Sequence, residues 1–178
     1  MSVLTIYDEQ GTTLSCTENC EEITATLATI GVDFERWQAA TPIEKGMEPE
    51  AIMAAYRADI DRLKTSGGYQ TVDVISLQSD HPEKDAFRQK FLNEHTHSED
   101  EVRFFVAGGG MFYLHVADKV YALHCVKDDL LSVPAGVTHW FDMGPNPEFT
   151  AIRLFTDPAG WVANFTGSDI ATRIPYFE

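Results

Sequence analysis

The spacing of apolar positions changes character part-way along the chain. In the first half it is mixed. Ser2 to Tyr7 alternates as a short strand ending at Asp8-Glu9-Gln10-Gly11, and Glu21 to Thr29 has the pattern of a brief helix. Val32 to Trp37 is strand-like, and Ala39 to Glu48, with Pro42 and Gly46, reads as a loop. Ile52, Met53, Tyr56, Ile60 and Leu63 recur at helical spacing behind Pro49, so one helix is expected over Pro49–Leu63, ended by Gly67-Gly68. Val72 to Leu77 is β-branched and strand-like. Asp80 with Glu83 has the form of a capping box, which predicts a helix from there to Leu92.

From His95 onward the apolar residues fall into short runs separated by turn residues. The predicted strands are Val102–Ala107, Met111–Val116, Lys119–Val126, Leu130–Val133, Val137–Asp142 and Phe149–Phe155. Their dividers include Gly108-Gly109-Gly110, Ala117-Asp118, Asp128-Asp129 and Pro134-Ala135-Gly136. Short strands at near-regular spacing point to a sandwich or barrel rather than to βαβ units. The expected fold is mainly β with α: a double-sheet barrel carrying N-terminal helices and strands. A chain of 178 residues is sized for one domain. Residues 1–93 are expected as an α/β portion packed on a barrel formed by residues 94–178.

Charge removes several function classes. Lys and Arg number 13 against 28 Asp and Glu, for a net charge of −15. Such a chain repels nucleic acid and anionic lipid, so any anionic ligand must be met by locally placed arginine or by a metal. No apolar run approaches the ~18–20 residues of a membrane span. The opening residues lack the basic start and apolar core of a secretory signal. Cys16, Cys20 and Cys125 are odd in number and lack CxxC spacing, which fits reduced thiols and a cytoplasmic location.

Candidate chemistry concentrates in Asn93-Glu94-His95-Thr96-His97-Ser98-Glu99-Asp100-Glu101. Residues two apart on a strand face one side, so His95 and His97 can present two imidazoles to one ion. The same parity admits either Glu99 or Glu101 as a carboxylate partner and turns Asp100 away. Downstream, Pro134-Ala135-Gly136-Val137-Thr138-His139 forms a turn leading into a strand, and antiparallel pairing can bring His139 beside the first pair. Three imidazoles and a carboxylate suit Fe, Ni, Zn or Cu rather than Mg or Ca. His81, His115 and His124 read as structural or surface residues.

His-x-His-x-x-x-Glu followed by Gly108, and then Pro-x-Gly-x-x-His, resembles the two cupin motifs. The chain departs from them at Gln89 and Asp128, where glycine usually opens each motif, and at Met143, where asparagine usually closes the second. These positions shape turns rather than ligate metal. The resemblance implies a cupin-type double-stranded β-helix, or jelly roll, and selects Glu101 over Glu99. It then narrows. Val32–Trp37, Gly68–Ile75, Lys90–His97, Asp100–Phe105, Val133–Gly144 and Arg153–Phe155, in order along the chain, are similar to the acireductone dioxygenase family.

That resemblance implies a methionine-salvage enzyme which oxidises 1,2-dihydroxy-3-keto-5-methylthiopentene with O2. It implies one Fe(II) or Ni(II) per chain, held by His95, His97, Glu101 and His139. The Fe(II) form would give 4-methylthio-2-oxobutanoate and formate; the Ni(II) form would give 3-methylthiopropanoate, formate and carbon monoxide. Arg103, two residues beyond Glu101, is expected to face the same cavity and hold the substrate anion, with Arg153 on the final strand as second candidate. Phe91, Phe105, Phe141 and Trp161 are candidate walls for the methylthio group. The expected partners are the acireductone and O2, with no nucleic acid and no membrane, and the chain is expected to act as a monomer. The rival readings are another metal-dependent cupin enzyme, an isomerase or a different dioxygenase, and a non-catalytic binding cupin.

Overall fold

The computed structural model describes residues 1–37, 41–44 and 46–178; the expected loop Ala39–Glu48 therefore lies partly outside the described residues. The chain begins as a hairpin of β1 (Val3–Asp8) and β2 (Thr13–Thr17). Asn19 caps α1 (Cys20–Ala28), its side chain accepting from the backbone N–H groups of Glu21 and Glu22. Next come β3 (Asp33–Arg36), α2 (Pro49–Ala55), α3 (Arg57–Gly67), β4 (Thr71–Leu77) and α4 (Lys84–Phe91). The strands β5 (His95–Thr96), β6 (Glu101–Val116), β7 (Lys119–Val126) and β8 (Asp129–Val133) follow. After them come β9 (Thr138–Asp142), β10 (Glu148–Phe155), a 3-10 turn at Pro158–Trp161 and β11 (Asn164–Phe165).

The long strand β6 belongs to two layers. Its first half pairs with β10 on one edge and β8 on the other, giving the order β4-β10-β6-β8-β3. Its second half pairs with β7 and β9, giving β2-β1-β7-β6-β9-β5-β11. Phe105, Leu131, Phe149 and Ala151 of the first layer and Leu4, Phe112, Leu114, Leu123 and Phe141 of the second share one buried apolar cluster. The result is the mainly β, double-sheet barrel that the strand spacing predicts. The N-terminal strands extend these sheets directly. A second cluster covers the outer face of the first layer, where Ile52 of α2, Ile60 of α3 and Tyr56 between them meet Val102, Phe104, Ile152 and Leu154. A third covers the outer face of the other layer, where Tyr113 and Trp140 stack at 5.0 Å and meet Ile170 and Ile174 near the C-terminus. No helix among the described residues is long and apolar enough to cross a membrane.

Three expectations need correction. The triple glycine is not a divider between two strands; it is the corner at which β6 passes between layers. Gly108 adopts φ +59°, and a Cβ there would lie 1.7 Å from the Glu148 carbonyl oxygen, so only glycine lets the strands approach this closely. The helix expected over Pro49–Leu63 is two helices broken at Tyr56, whose buried ring donates its hydroxyl to the Thr41 carbonyl at 2.8 Å. Asp80 does not cap α4. His81 Nδ1 takes the Glu83 N–H instead, a turn precedes the helix, and α4 starts at Lys84.

Candidate metal centre

Topology brings the three motif histidines together. β5 is two residues long and lies between β9 and β11, which sets His95 directly opposite His139. His97 follows β5, and its carbonyl accepts from the Gly136 N–H at 3.0 Å, so the Pro134-Ala135-Gly136 turn is tied to the first histidine pair. Candidate ligand atoms of His95, His97 and His139 all lie within 4.8 Å of one another, and all three residues are buried. Each Nδ1 sits against a main-chain carbonyl: Asn93 for His95 at 2.8 Å, Val162 for His97 at 3.0 Å and Val137 for His139 at 2.8 Å. A carbonyl can only accept, so Nδ1 is the protonated nitrogen, and in the neutral ring Nε2 keeps its lone pair.

Glu101 opens β6 on the inner face. Its Oε2 is 3.5 Å from Nε2 of both His97 and His139, while Oε1 accepts from Arg103 Nη2 at 2.7 Å. Glu99 and Asp100 are engaged elsewhere: Glu99 accepts from Thr156 Oγ1, and Asp100 accepts from the Ala135 N–H. Glu101 Oε2 and His139 Nε2 are buried without a hydrogen-bond partner among the described residues. Such orphans cost stability unless something else satisfies them. Burial lowers the His95 pKa to about 4, helped by the neighbouring His139, and burial likewise lowers that of His97. Burial alone would raise Glu101, but Arg103, His139 and His97 outweigh it and hold the carboxyl well below its ordinary range. Neutral imidazoles and an ionised carboxylate are the protonation states a divalent transition ion requires.

A cavity of about 130 Å³ opens onto this cluster, with Arg103 and Arg153 on one wall and Phe91, Phe141 and Trp161 on the others. The two arginines are cross-strand neighbours on β6 and β10. Arg103 is 5% exposed and lies over the Phe112 and Phe141 rings, 5.1 Å from each. Arg153 forks onto Asp73, at 3.0 and 3.3 Å, and lies 4.6 Å over the Trp161 ring.

Comparison with known proteins places the chain. A profile of the ARD/ARD' family matches residues 3–163. The chain belongs to the ARD/ARD' family. It is 57% identical to an acireductone dioxygenase of Pseudomonas paraeruginosa, over all of this chain and 99% of that protein. It is 57% identical to one of Synechococcus sp. over 98% of each chain. It is also 63% identical to one of Pseudomonas syringae pv. syringae over 89% of this chain and 87% of that one. Among solved structures, an acireductone dioxygenase from Bacillus anthracis superposes with TM-score 0.82 at 29% identity, covering 93% of this chain and 98% of that one. That structure holds a cadmium ion in its active centre, and its likeness fits the cupin-type barrel expected here.

Within this member of the ARD/ARD' family, one wall residue differs from expectation. Phe105 does not line the cavity. It is fully buried behind Phe141, 6.1 Å between ring centroids, as part of the inter-sheet core. Sequence reasoning also missed residues that do line it: Phe112, stacked on the His139 ring at 5.3 Å, together with Lys90 and Phe165. Phe112 was hidden by a phase change in β6. The register with β10 shifts between Thr150 and Ala151, opposite Ala107 and Phe105, so inward positions pass from odd numbers to even ones. The same shift turns His115 outward, where its Nδ1 bonds Glu94 at 2.6 Å and its Nε2 lies 3.2 Å from Glu9, in keeping with a structural role.

Proposed function

We propose that this chain is a metal-dependent dioxygenase that cleaves the acireductone 1,2-dihydroxy-3-keto-5-methylthiopentene with O2. In this reading His95, His97, Glu101 and His139 hold one Fe(II) or Ni(II). The observation that carries it is the pair of buried orphans, Glu101 Oε2 and His139 Nε2, facing each other at 3.5 Å beside two further imidazoles. Two donors about 2.1 Å from one ion stand about 3 Å apart at right angles and about 4.2 Å apart when opposite, and the observed spacing lies in that range. A bound ion would supply Lewis acidity to an electron-rich enediolate.

The protein's own groups do the rest. Three main-chain carbonyls fix the imidazole tautomers, so no proton need move before metal is held. Arg103 steadies the Glu101 carboxylate through Nη2. Its buried Nε has no partner among the described residues, which leaves a donor for a substrate oxygen. Arg153, braced by Asp73, adds a second positive charge across the strand pair and is the weaker contact in this reading, since its Nε and Nη2 are already directed at Asp73. Phe91, Phe141 and Trp161 present apolar surface to the methylthio tail and keep water from the reacting carbons. The three free cysteines fit a reducing, cytoplasmic setting.

The test is turnover by stripped and reloaded protein, followed as loss of acireductone ultraviolet absorbance under air, with products identified by NMR and gas chromatography. The expected outcome is 4-methylthio-2-oxobutanoate and formate with Fe(II), and 3-methylthiopropanoate, formate and carbon monoxide with Ni(II). Identical products from both metals would refute metal-controlled branching. No turnover with either would refute the dioxygenase reading in favour of a binding cupin.

A further inference from the structure

A second cavity, of about 280 Å³, lies beyond Phe91. Ile75, Leu77, Phe87, Met143 and Phe149 line it, and no Asp, Glu, Lys or Arg does among the described residues. Phe91 is the single residue common to this cavity and the one at the histidine cluster. The partition is completed by two rings in edge contact, Phe141 on the metal side and Phe149 on the far side, 5.3 Å apart. Phe141 and Phe149 are nearly inaccessible, whereas Phe91, the last residue of α4, is only half-buried. Of the rings dividing the cavities, Phe91 is therefore the one least held by its surroundings.

We propose that Phe91 sets the length of apolar tail the site accepts, and that the second cavity is a subsite for longer unbranched alkyl or alkylthio tails. This rests on the acireductone reading above and deepens it. Both arginines and the histidine cluster lie on one side of Phe91, so the polar end of such a substrate stays there. Its tail is the part that meets the aromatic wall. The metal-side cavity, about 130 Å³, is filled by a compact substrate, and a longer tail meets the Phe91 ring. Beyond the ring the lining is mainly apolar, with Ser76 and His81 as its polar members, so a tail that reaches it is stabilised by each methylene it buries, about fourfold in kcat/KM per methylene.

The experiment compares acireductones bearing the native methylthioethyl tail and an n-hexyl tail, two heavy atoms longer, on the metal-loaded protein. The variants are Phe91→Ala, Ile75→Phe and the double variant; Ile75 lines only the second cavity and takes no part in the metal site. Steady-state kcat/KM is read together with anaerobic quenching of tryptophan fluorescence, which reports binding without turnover. The hexyl-to-native ratio is expected to rise about 15-fold or more in Phe91→Ala. It should fall back in the double variant, while Ile75→Phe alone keeps the native ratio. A ratio unchanged in Phe91→Ala, with native turnover intact in the unmutated protein, overturns this inference and leaves the dioxygenase reading standing. A rise that Ile75→Phe does not reverse shows the tail going elsewhere and overturns the second cavity as its subsite. Absence of turnover of either substrate by the unmutated protein overturns the dioxygenase reading itself, and this inference with it.

Discussion

Replacing Glu101 with glutamine separates the roles of the three clustered acids. The side chain keeps its shape and loses its charge, and Arg103, 5% exposed, then loses the carboxylate at 2.7 Å that compensates it. Removing one partner of a buried pair costs about 3–5 kcal/mol, and the retained amide oxygen places this case near the lower figure. The sign with pH follows from the depressed pKa of Glu101. Its contribution is complete above the unfolded-state value, near the ordinary carboxylate range, and disappears as pH falls through the lower folded-state value, so the full loss is read at pH 7. For a chain of 178 residues each kcal/mol moves Tm by about 2–4 °C, so metal-stripped Glu101→Gln should melt about 6–12 °C below the stripped parent. Glu99→Gln keeps an oxygen that can accept from Thr156 Oγ1 at this half-buried position, so it should cost no more than about 1 kcal/mol. Scanning calorimetry on stripped proteins and metal analysis on reloaded ones give the two readouts. Glu101→Gln should lose most of its metal and Glu99→Gln should keep one ion per chain. A stripped Glu101→Gln within 2 °C of the parent, roughly the smallest shift expected for 1 kcal/mol, would refute the buried-pair argument. Metal loss in Glu99→Gln alone would refute the ligand assignment.

Three further outcomes follow from the packing. The buried Asp142 carboxylate accepts from Arg88 Nε and Nη2, from the Gly144 N–H and from the Phe177 N–H; Asp142→Ala should therefore lose about 3–5 kcal/mol in urea unfolding and speed amide exchange at Phe177. Gly108→Ala faces both a positive φ and the Glu148 carbonyl and should lose more than about 3 kcal/mol, whereas Gly136→Ala, with a positive φ but nothing within 4 Å of its Cβ, should lose about 1–2 kcal/mol by the same measurement. Cys125 is fully buried, and burial pushes its thiol pKa well up, so a thiol reagent should modify exposed Cys16 and Cys20 in the native protein and reach Cys125 only on unfolding.

The candidate site was legible because its spacing is local: His95, His97 and Glu101 are six residues apart at most, and strand parity limits which of them share a face. The partner strand for His139 was legible only as a possibility of pairing, because register depends on the Gly136–His97 bond and on β5 fitting between β9 and β11. The β7 and β10 strands stood out as short, largely apolar runs bounded by turn residues. What alternation could not reveal was the corner in β6, since a glycine run reads as a turn until the Glu148 backbone is seen packed against it. Phe112 was missed because an extra residue in one strand reverses inside and outside for everything beyond it. Phe105 precedes that shift and faces inward as parity requires, but it lies in the inter-sheet core rather than on the cavity wall. Helical periodicity likewise persisted through Tyr56, because the break leaves Ile52, Tyr56 and Ile60 on one buried face.

The carbonyl bonds that orient the three imidazoles have an evolutionary consequence. Every residue type carries a main-chain carbonyl, so the identities of residues 93, 137 and 162 are not what aims the rings. Val162 is 60% exposed at the rim of the site, and Asn93 is exposed as well. Lineages can therefore remodel the surface around the mouth by substitution at these positions while the donor set stays aimed. Changes that displace the chain trace, such as insertions in the turn before His139 or loss of the β5–β11 pairing, would spoil it even with every ligand side chain retained.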